Sequence, residues 1–177
     1  MVKDSVLYFS DEMRYGLMSN FRRSWSKTGN RAVLAQKQAF KNSYLYSAIS
    51  PTTGKDFHLI GLSDMNTETE EIFLKELKKK HPNEHVVVVI DNAPCHRPKV
   101  LHAILGLTLI YLPSYSPELN PVERYFQELR RSTANQIFKN MKDLEKRLTK
   151  TIKNFTARSL KQLCGYDWIL RQVGMVS

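Results

Sequence analysis

Five consecutive apolar residues, Val86 to Ile90, lead directly into Asp91, and this short run constrains the fold more than any other segment. A brief unbroken apolar stretch suits a strand buried on both faces, because an edge or half-exposed strand would alternate with polar residues. Such a strand needs cover on each side, which in practice means helices packed on a sheet. The acid that follows it then emerges at the carboxyl end of a buried strand, where open α/β sheets place their ligands.

The remaining punctuation fits that frame. Ser5 to Ser10 reads as a first strand ending at Asp11, followed by a polar, irregular excursion marked by Trp25 and Gly29. Tyr44–Ser50 and Phe57–Leu62 flank Pro51-Thr-Thr-Gly54, a hairpin pattern. Thr67-Glu-Thr-Glu70 predicts a capping box with Thr67 as N-cap, opening a helix that runs to about Lys80 and stops before Pro82. A helix near Lys99–Leu105 precedes a fifth strand, Leu107–Leu112, and everything from Pro121 onward reads as helical. Met141, Leu144, Leu148, Ile152 and Phe155 recur at three- and four-residue spacing, with lysines on the opposite face. The order β-β-β-α-β-α-β-α-α implies one α/β domain over residues 1–177, a mixed sheet with helices against it.

Charge narrows the partners. The formal net charge of +10 is uneven: eleven basic residues but only three acids lie between Arg124 and Lys161, which favours a polyanionic partner over a merely solvated face. The longest apolar run, around His102–Leu112, is broken by Gly106 and Thr108 and is too short to span a bilayer. The opening residues lack the apolar core of a signal peptide. Cys95 and Cys164 are too few for a disulfide framework, so a cytoplasmic, reducing setting is expected. His81 and His85 have helical spacing, but the intervening Pro82 argues against a zinc site.

Three acids stand at positions that could converge: Asp11, Asp91 and Glu123. If the first and fourth strands are parallel neighbours, the two aspartates emerge together. Clustered carboxylates repel, and a divalent ion with hard oxygen ligands, Mg²⁺ or Mn²⁺, relieves the repulsion. Two such ions about 4 Å apart can assist both the attacking and the leaving oxygen of a phosphoryl transfer. Each acid also has a plainer reading. Asp11 could solvate a strand end, with Glu12 competing for its role, and Glu123 sits where Asn120-Pro121 would begin a helix with an acid in its first turn. His96 could contact phosphate or order its loop, and pairing with Cys95 as a nucleophile is the less natural alternative. Asn92 could support Asp91 or satisfy a turn. Tyr111, Tyr115, Tyr125 and Phe126 read as core rather than base-stacking residues.

Asp91-Asn-Ala-Pro-Cys-His96 and Leu112-Pro-Ser-Tyr-Ser-Pro-Glu-Leu-Asn-Pro-Val-Glu123, with Phe126 three residues on, resemble the DDE endonuclease domain of insertion-sequence-630 type transposases, relatives of the Tc/mariner group. The resemblance implies a ribonuclease-H-like fold with strand order 3-2-1-4-5, and Asp11, Asp91 and Glu123 as a catalytic, metal-binding triad supported by Asn92, His96 and Asn120. It also implies Mg²⁺- or Mn²⁺-dependent cutting at transposon ends and strand transfer into target DNA, in the cytoplasm and at the nucleoid. Arg130, Arg131, Lys139, Lys142, Lys146 and Arg147 are the candidate DNA contacts, with Lys150 and Lys153 beyond them. Family members carry an amino-terminal helix-turn-helix region that nothing before Asp11 supplies, so the expected partners include a separately encoded helix-turn-helix subunit and a second copy of this chain. The alternative is a non-catalytic DNA-binding or regulatory remnant.

Overall fold

Strand β1 (Ser5–Gly16) is twelve residues long and lies at the centre of a five-stranded sheet of order β3-β2-β1-β4-β5. The computed structural model describes residues 5–30 and 33–174. The other strands are β2 (Asn42–Ile49), β3 (Asp56–Leu62), β4 (His85–Ile90) and β5 (Leu107–Tyr111). β1 pairs antiparallel with β2, and β2 with β3, whereas β1, β4 and β5 run parallel. The sheet is therefore mixed, in the order the resemblance implies.

Helix α1 (Thr67–Lys79) and the short α2 (Lys99–His102) cover one face, and α3 (Val122–Thr133), α4 (Met141–Lys153), α5 (Ala157–Cys164) and α6 (Asp167–Gln172) the other. Period-two alternation divides the central strands between two cores. Val6, Tyr8, Val86, Val88 and Ile90 pack with Phe73, Leu74 and Leu77 of α1. Leu7, Phe9, Met13, Val87 and Val89 face Val122, Tyr125, Phe126 and Leu129 of α3, with Leu144 and Leu148 of α4 behind them. The apolar run Val86–Ile90 is thus covered on both sides.

Two sequence expectations shift. The first strand does not end at Ser10. It continues past the last residue of β4 because β2 goes on pairing with it to Gly16. The α1 cap is Asn66, not Thr67: the Asn66 side chain accepts from Thr69 N at 3.0 Å, and the Thr69 hydroxyl returns to Asn66 N at 3.2 Å. The box is built one residue earlier than predicted, which releases Glu70 from any capping role. In the hairpin turn before β3, Gly54 adopts a φ of +74°, and a Cβ there would fall 2.1 Å from the Ala157 carbonyl oxygen, so only glycine lets this turn seat against α5.

Candidate metal centre

Every β1–β4 pair from Ser5↔His85 to Phe9↔Val89 keeps one register, and that register carried two residues further sets Asp11 beside Asp91. Both acids share the parity of Phe9 and Val89, so both belong to the face covered by α3. β4 has ended at Ile90 while β1 runs on, which leaves Asp91 at the strand's exit and Asp11 on the flank of a strand that loses its neighbour there. Each aspartate uses Oδ1 locally: Asp11 accepts from Glu12 N at 2.9 Å, and Asp91 from Ala93 N at 3.1 Å.

The third acid arrives with α3, whose buried Val122, Tyr125, Phe126 and Leu129 form one helical face. Buried Asn120 fastens the start of that helix. Its Nδ2 donates to the Ser10 carbonyl at 2.9 Å and its Oδ1 accepts from Val122 N at 3.2 Å. The residue that opens α3 is therefore tied to the residue before Asp11. Glu123 is not spent on capping: Asn120 serves the first N–H of the helix, and Glu123 Oε2 lies 3.5 Å from Arg130 Nη1 instead. Asp11, Asp91, Glu123, Asn92 and Asn120 line a single open cavity of about 480 Å³, together with Ser114, Tyr115 and Ser116.

The charges there are poorly matched. Burial first, then Glu12 and Glu123, and more weakly Asp91, push the Asp11 carboxyl well above the usual carboxylate range. Asp91 goes the other way, held low by a hydrogen bond from His96 and by Ala93 N–H against the opposing effect of burial. Among the described residues Asp11 has no cationic partner. An all-oxygen donor set, one member of which resists ionisation for want of a counter-charge, fits a hard divalent cation. The three acids are the cavity residues that could hold it, whereas the described side chains whose ligand atoms already lie within 4.8 Å of one another are Glu12, Glu70 and His96.

The supporting residues separate. Asn92 Oδ1 accepts from Arg97 Nε at 2.8 Å, bracing the loop after β4. His96 is buried, which corrects the expectation of a phosphate contact; it orders the loop. Its Nδ1 lies 2.7 Å from Asp91 Oδ1 and its Nε2 3.3 Å from Glu12 Oε1, with Glu70 Oε2 at 3.8 Å. Burial opposes a charged ring, but Asp91, Glu12 and Glu70 outweigh it and push the imidazole up to about 12. Glu12, weighed in the sequence as a rival to Asp11, thus sits beside the centre on the opposite face, and Glu70 was missed, although it is the one acid on the helical face it shares with Phe73, Leu74 and Leu77. Tyr125 and Phe126 are core as expected, but Tyr115 is fully exposed on the cavity rim with a φ of 59°, because the loop after β5 turns through a left-handed conformation there.

The basic candidates do not share one surface. Arg130 pairs with Glu123 and stacks on Phe126, and Arg131 pairs with Glu128. Arg147 donates to the Ser132 carbonyl at 3.1 Å on the α3 side of α4. Lys142, Lys146, Lys150 and Lys153 line a separate depression against Ile60 of β3. Lys139 contributes its backbone carbonyl to Lys37 Nζ at 2.8 Å.

Comparison with known proteins follows this geometry. The profile of the family described as DDE superfamily endonuclease matches residues 6–145. The uncharacterized protein y4pE/y4sA of Sinorhizobium fredii (strain NBRC 101917 / NGR234) is 35% identical over 104 residues, covering 58% of this chain and 76% of that one. The Mos1 transposase paired-end complex with left transposon end superposes with a TM-score of 0.72 at 19% identity, covering 91% of this chain. The Mos1 mariner paired end complex with Mn gives 0.69 at 20% identity, covering 89%. This chain spans about half of those transposase chains, 52% and 51% respectively. At that identity the likeness establishes a shared ribonuclease-H-like fold.

Proposed function

The chain belongs to the DDE superfamily endonucleases, and from that premise we propose that it is the catalytic half of a Tc/mariner-related transposase, cutting DNA at transposon ends and joining it to target DNA. The observation that carries the reading is the register that sets Asp11 beside Asp91, with Asn120 tying Glu123's helix to the same strand. Asp11, Asp91 and Glu123 would hold Mg²⁺ or Mn²⁺, two ions in the proposed arrangement. When bound, such ions supply Lewis acidity that lowers the pKa of water and neutralises charge developing on phosphate.

The chain's own residues do the rest. His96 and Ala93 N–H occupy Asp91 Oδ1, so Oδ2 would be the oxygen offered to a metal ion. Asn120 keeps α3, and with it Glu123, at a fixed distance from β1. Arg97 on the cavity wall and Arg130 beside Glu123 offer charge to a phosphate backbone, and exposed Tyr115 offers a ring to an unstacked base. The wider basic candidates Arg131, Lys139, Lys142, Lys146 and Arg147 would contribute sequence-independent attraction, each lost phosphate contact lowering the salt slope of binding by about 1. Recognition of particular ends would fall to a helix-turn-helix subunit, with the catalytic domain working as a pair.

The test is nicking of a non-specific duplex with Mn²⁺. Asp91→Asn and Glu123→Gln should abolish nicking while leaving duplex binding within about twofold. Unchanged cleavage in either variant removes the mechanism; tight binding without cleavage by the unaltered chain favours the regulatory remnant.

A further inference from the structure

Adjacent residues in a strand point to opposite faces, so Asp11 and Glu12 cannot both enter the cavity. Asp11 takes the α3 face and Glu12 the α1 face, where its nearly buried side chain meets two others that are almost wholly inaccessible. One is Glu70, which α1 aims inward from between its apolar residues. The other is His96, on the single 3-10 turn Pro94–His96 that follows Asp91.

That turn is gripped from several sides. Thr67 Oγ1 donates to the Cys95 carbonyl at 3.0 Å, and Tyr111 OH to the His96 carbonyl at 2.7 Å. These bonds fix the backbone but not the ring. The ring is fixed by carboxylates: Asp91 Oδ1 at one nitrogen, Glu12 Oε1 at the other, Glu70 Oε2 just beyond. Neither Glu70 oxygen has a hydrogen-bond donor among the described residues, and the contact of His96 Nε2 with Glu12 is electrostatic rather than well aligned. A bare carboxylate so placed would lose its hydration without a compensating hydrogen bond. Burial, then the charge of Glu12, push the Glu70 carboxyl well above the usual carboxylate range, with His96 opposing them.

We propose that Glu12 and Glu70 are positioning residues for the metal pocket: together they hold one side of the His96 ring, and the ring, through its other nitrogen, holds Oδ1 of Asp91. The arrangement follows the general pattern in which an outer carboxylate sets the orientation of a group that itself orients a ligand. It rests on the proposed function only in taking Asp91 as a metal ligand.

Mn²⁺ affinity of the whole chain, measured by titration calorimetry without DNA, tests the chain of contacts. Glu12→Gln and Glu70→Leu should each bind Mn²⁺ about tenfold more weakly, the lower end of what outer residues contribute. Glu70→Gln, which keeps a polar side chain of the same length beside the ring, should stay within about twofold of the unaltered chain. Glu12→Gln added to His96→Gln should weaken binding no further than His96→Gln alone, since both act through one path. Glu→Gln replacements preserve shape, and circular dichroism and thermal unfolding verify the fold should Glu70→Leu prove unstable. Undiminished affinity in Glu12→Gln, or effects that multiply in the double variant, would overturn the inference. So would Zn²⁺ that survives dialysis in Asp91→Asn and is lost in Glu70→Gln, since these residues would then be ligands themselves. If Asp11→Asn and Glu123→Gln also fail to weaken Mn²⁺ binding, the reading of the cavity fails instead.

Discussion

At the amino end of β4, His81 bonds Tyr8 OH through Nε2 at 2.9 Å and Glu84 through Nδ1 at 2.6 Å, and Lys55 approaches Glu84 at 3.8 Å. At its carboxyl end, Asp11, Asp91, Glu123, Glu12 and Glu70 gather around His96 and Arg130. Both ends bury a histidine whose two ring nitrogens are each engaged: His81 lies between the Tyr8 hydroxyl and Glu84, and His96 between Asp91 and Glu12. One end hands each polar group a partner of opposite character; the other concentrates like charge where the fold alone has no use for it. A folded chain tolerates such crowding when something outside the chain relieves it, and the poorly compensated end is where ligands are expected.

The sharpest way to break this contrast is Asp11→Asn. At the carboxyl end it should abolish nicking, yet raise the free energy of unfolding by about 1 kcal/mol, because one buried like charge is gone. Chemical denaturation alongside the nicking assay reads both, and a loss of stability would show that the crowding is structural. His81→Ala should do the reverse at the amino end. Leaving Tyr8 OH buried without its partner should cost about 1–3 kcal/mol by the same denaturation measurement, with nicking unchanged. The smallest effect is expected at Glu84, which is too exposed to contribute much. The hydrogen bond from His81, then Lys55, holds its carboxyl below the ordinary 4.5 against a small opposing effect of burial. A lowered pKa in the folded state contributes stability that is present above about 4.5 and lost as pH falls through the folded value. Glu84→Gln should therefore narrow its stability difference from the unaltered chain between pH 5 and about pH 3, as followed by thermal unfolding; a difference that widens on acidification would contradict the pairing.

Much of this was legible from residue order alone. The run Val86–Ile90 required a strand covered on both faces, and helix periodicity identified Leu144 and Leu148 as the buried face of α4. Bringing Asp11 and Asp91 together needed only the assumption of parallel neighbours, which β1 and β4 are. What escaped depended on long-range pairing. The extension of β1 to Gly16 is sustained by β2, whose residues lie across the intervening excursion, so nothing local to Asp11 announces it. Glu12 and Glu70 left a fainter signal. Glu12 shares the parity of Tyr8 and Ser10, and Glu70 stands three, four and seven residues before Phe73, Leu74 and Leu77, an acid alone on an apolar stripe. Reading Glu70 as a capping residue hid that placement, and the one-residue shift of the cap to Asn66 exposes it. The lysines of α4 illustrate the opposite limit, since periodicity separates the face of Lys142 and Lys146 from that of Arg147 but cannot say which meets DNA.

The alternation that sends Asp11 and Glu12 to opposite sides of β1 makes the sheet a partition between a wet compartment and a dry one. Gaining or losing a single codon just ahead of these two acids would exchange their sides, presenting the wrong carboxyl to each compartment without changing composition or hydropathy at all. Length in this strand is consequently a stricter inheritance than identity, and homologous chains should vary their spacing everywhere before they vary it here.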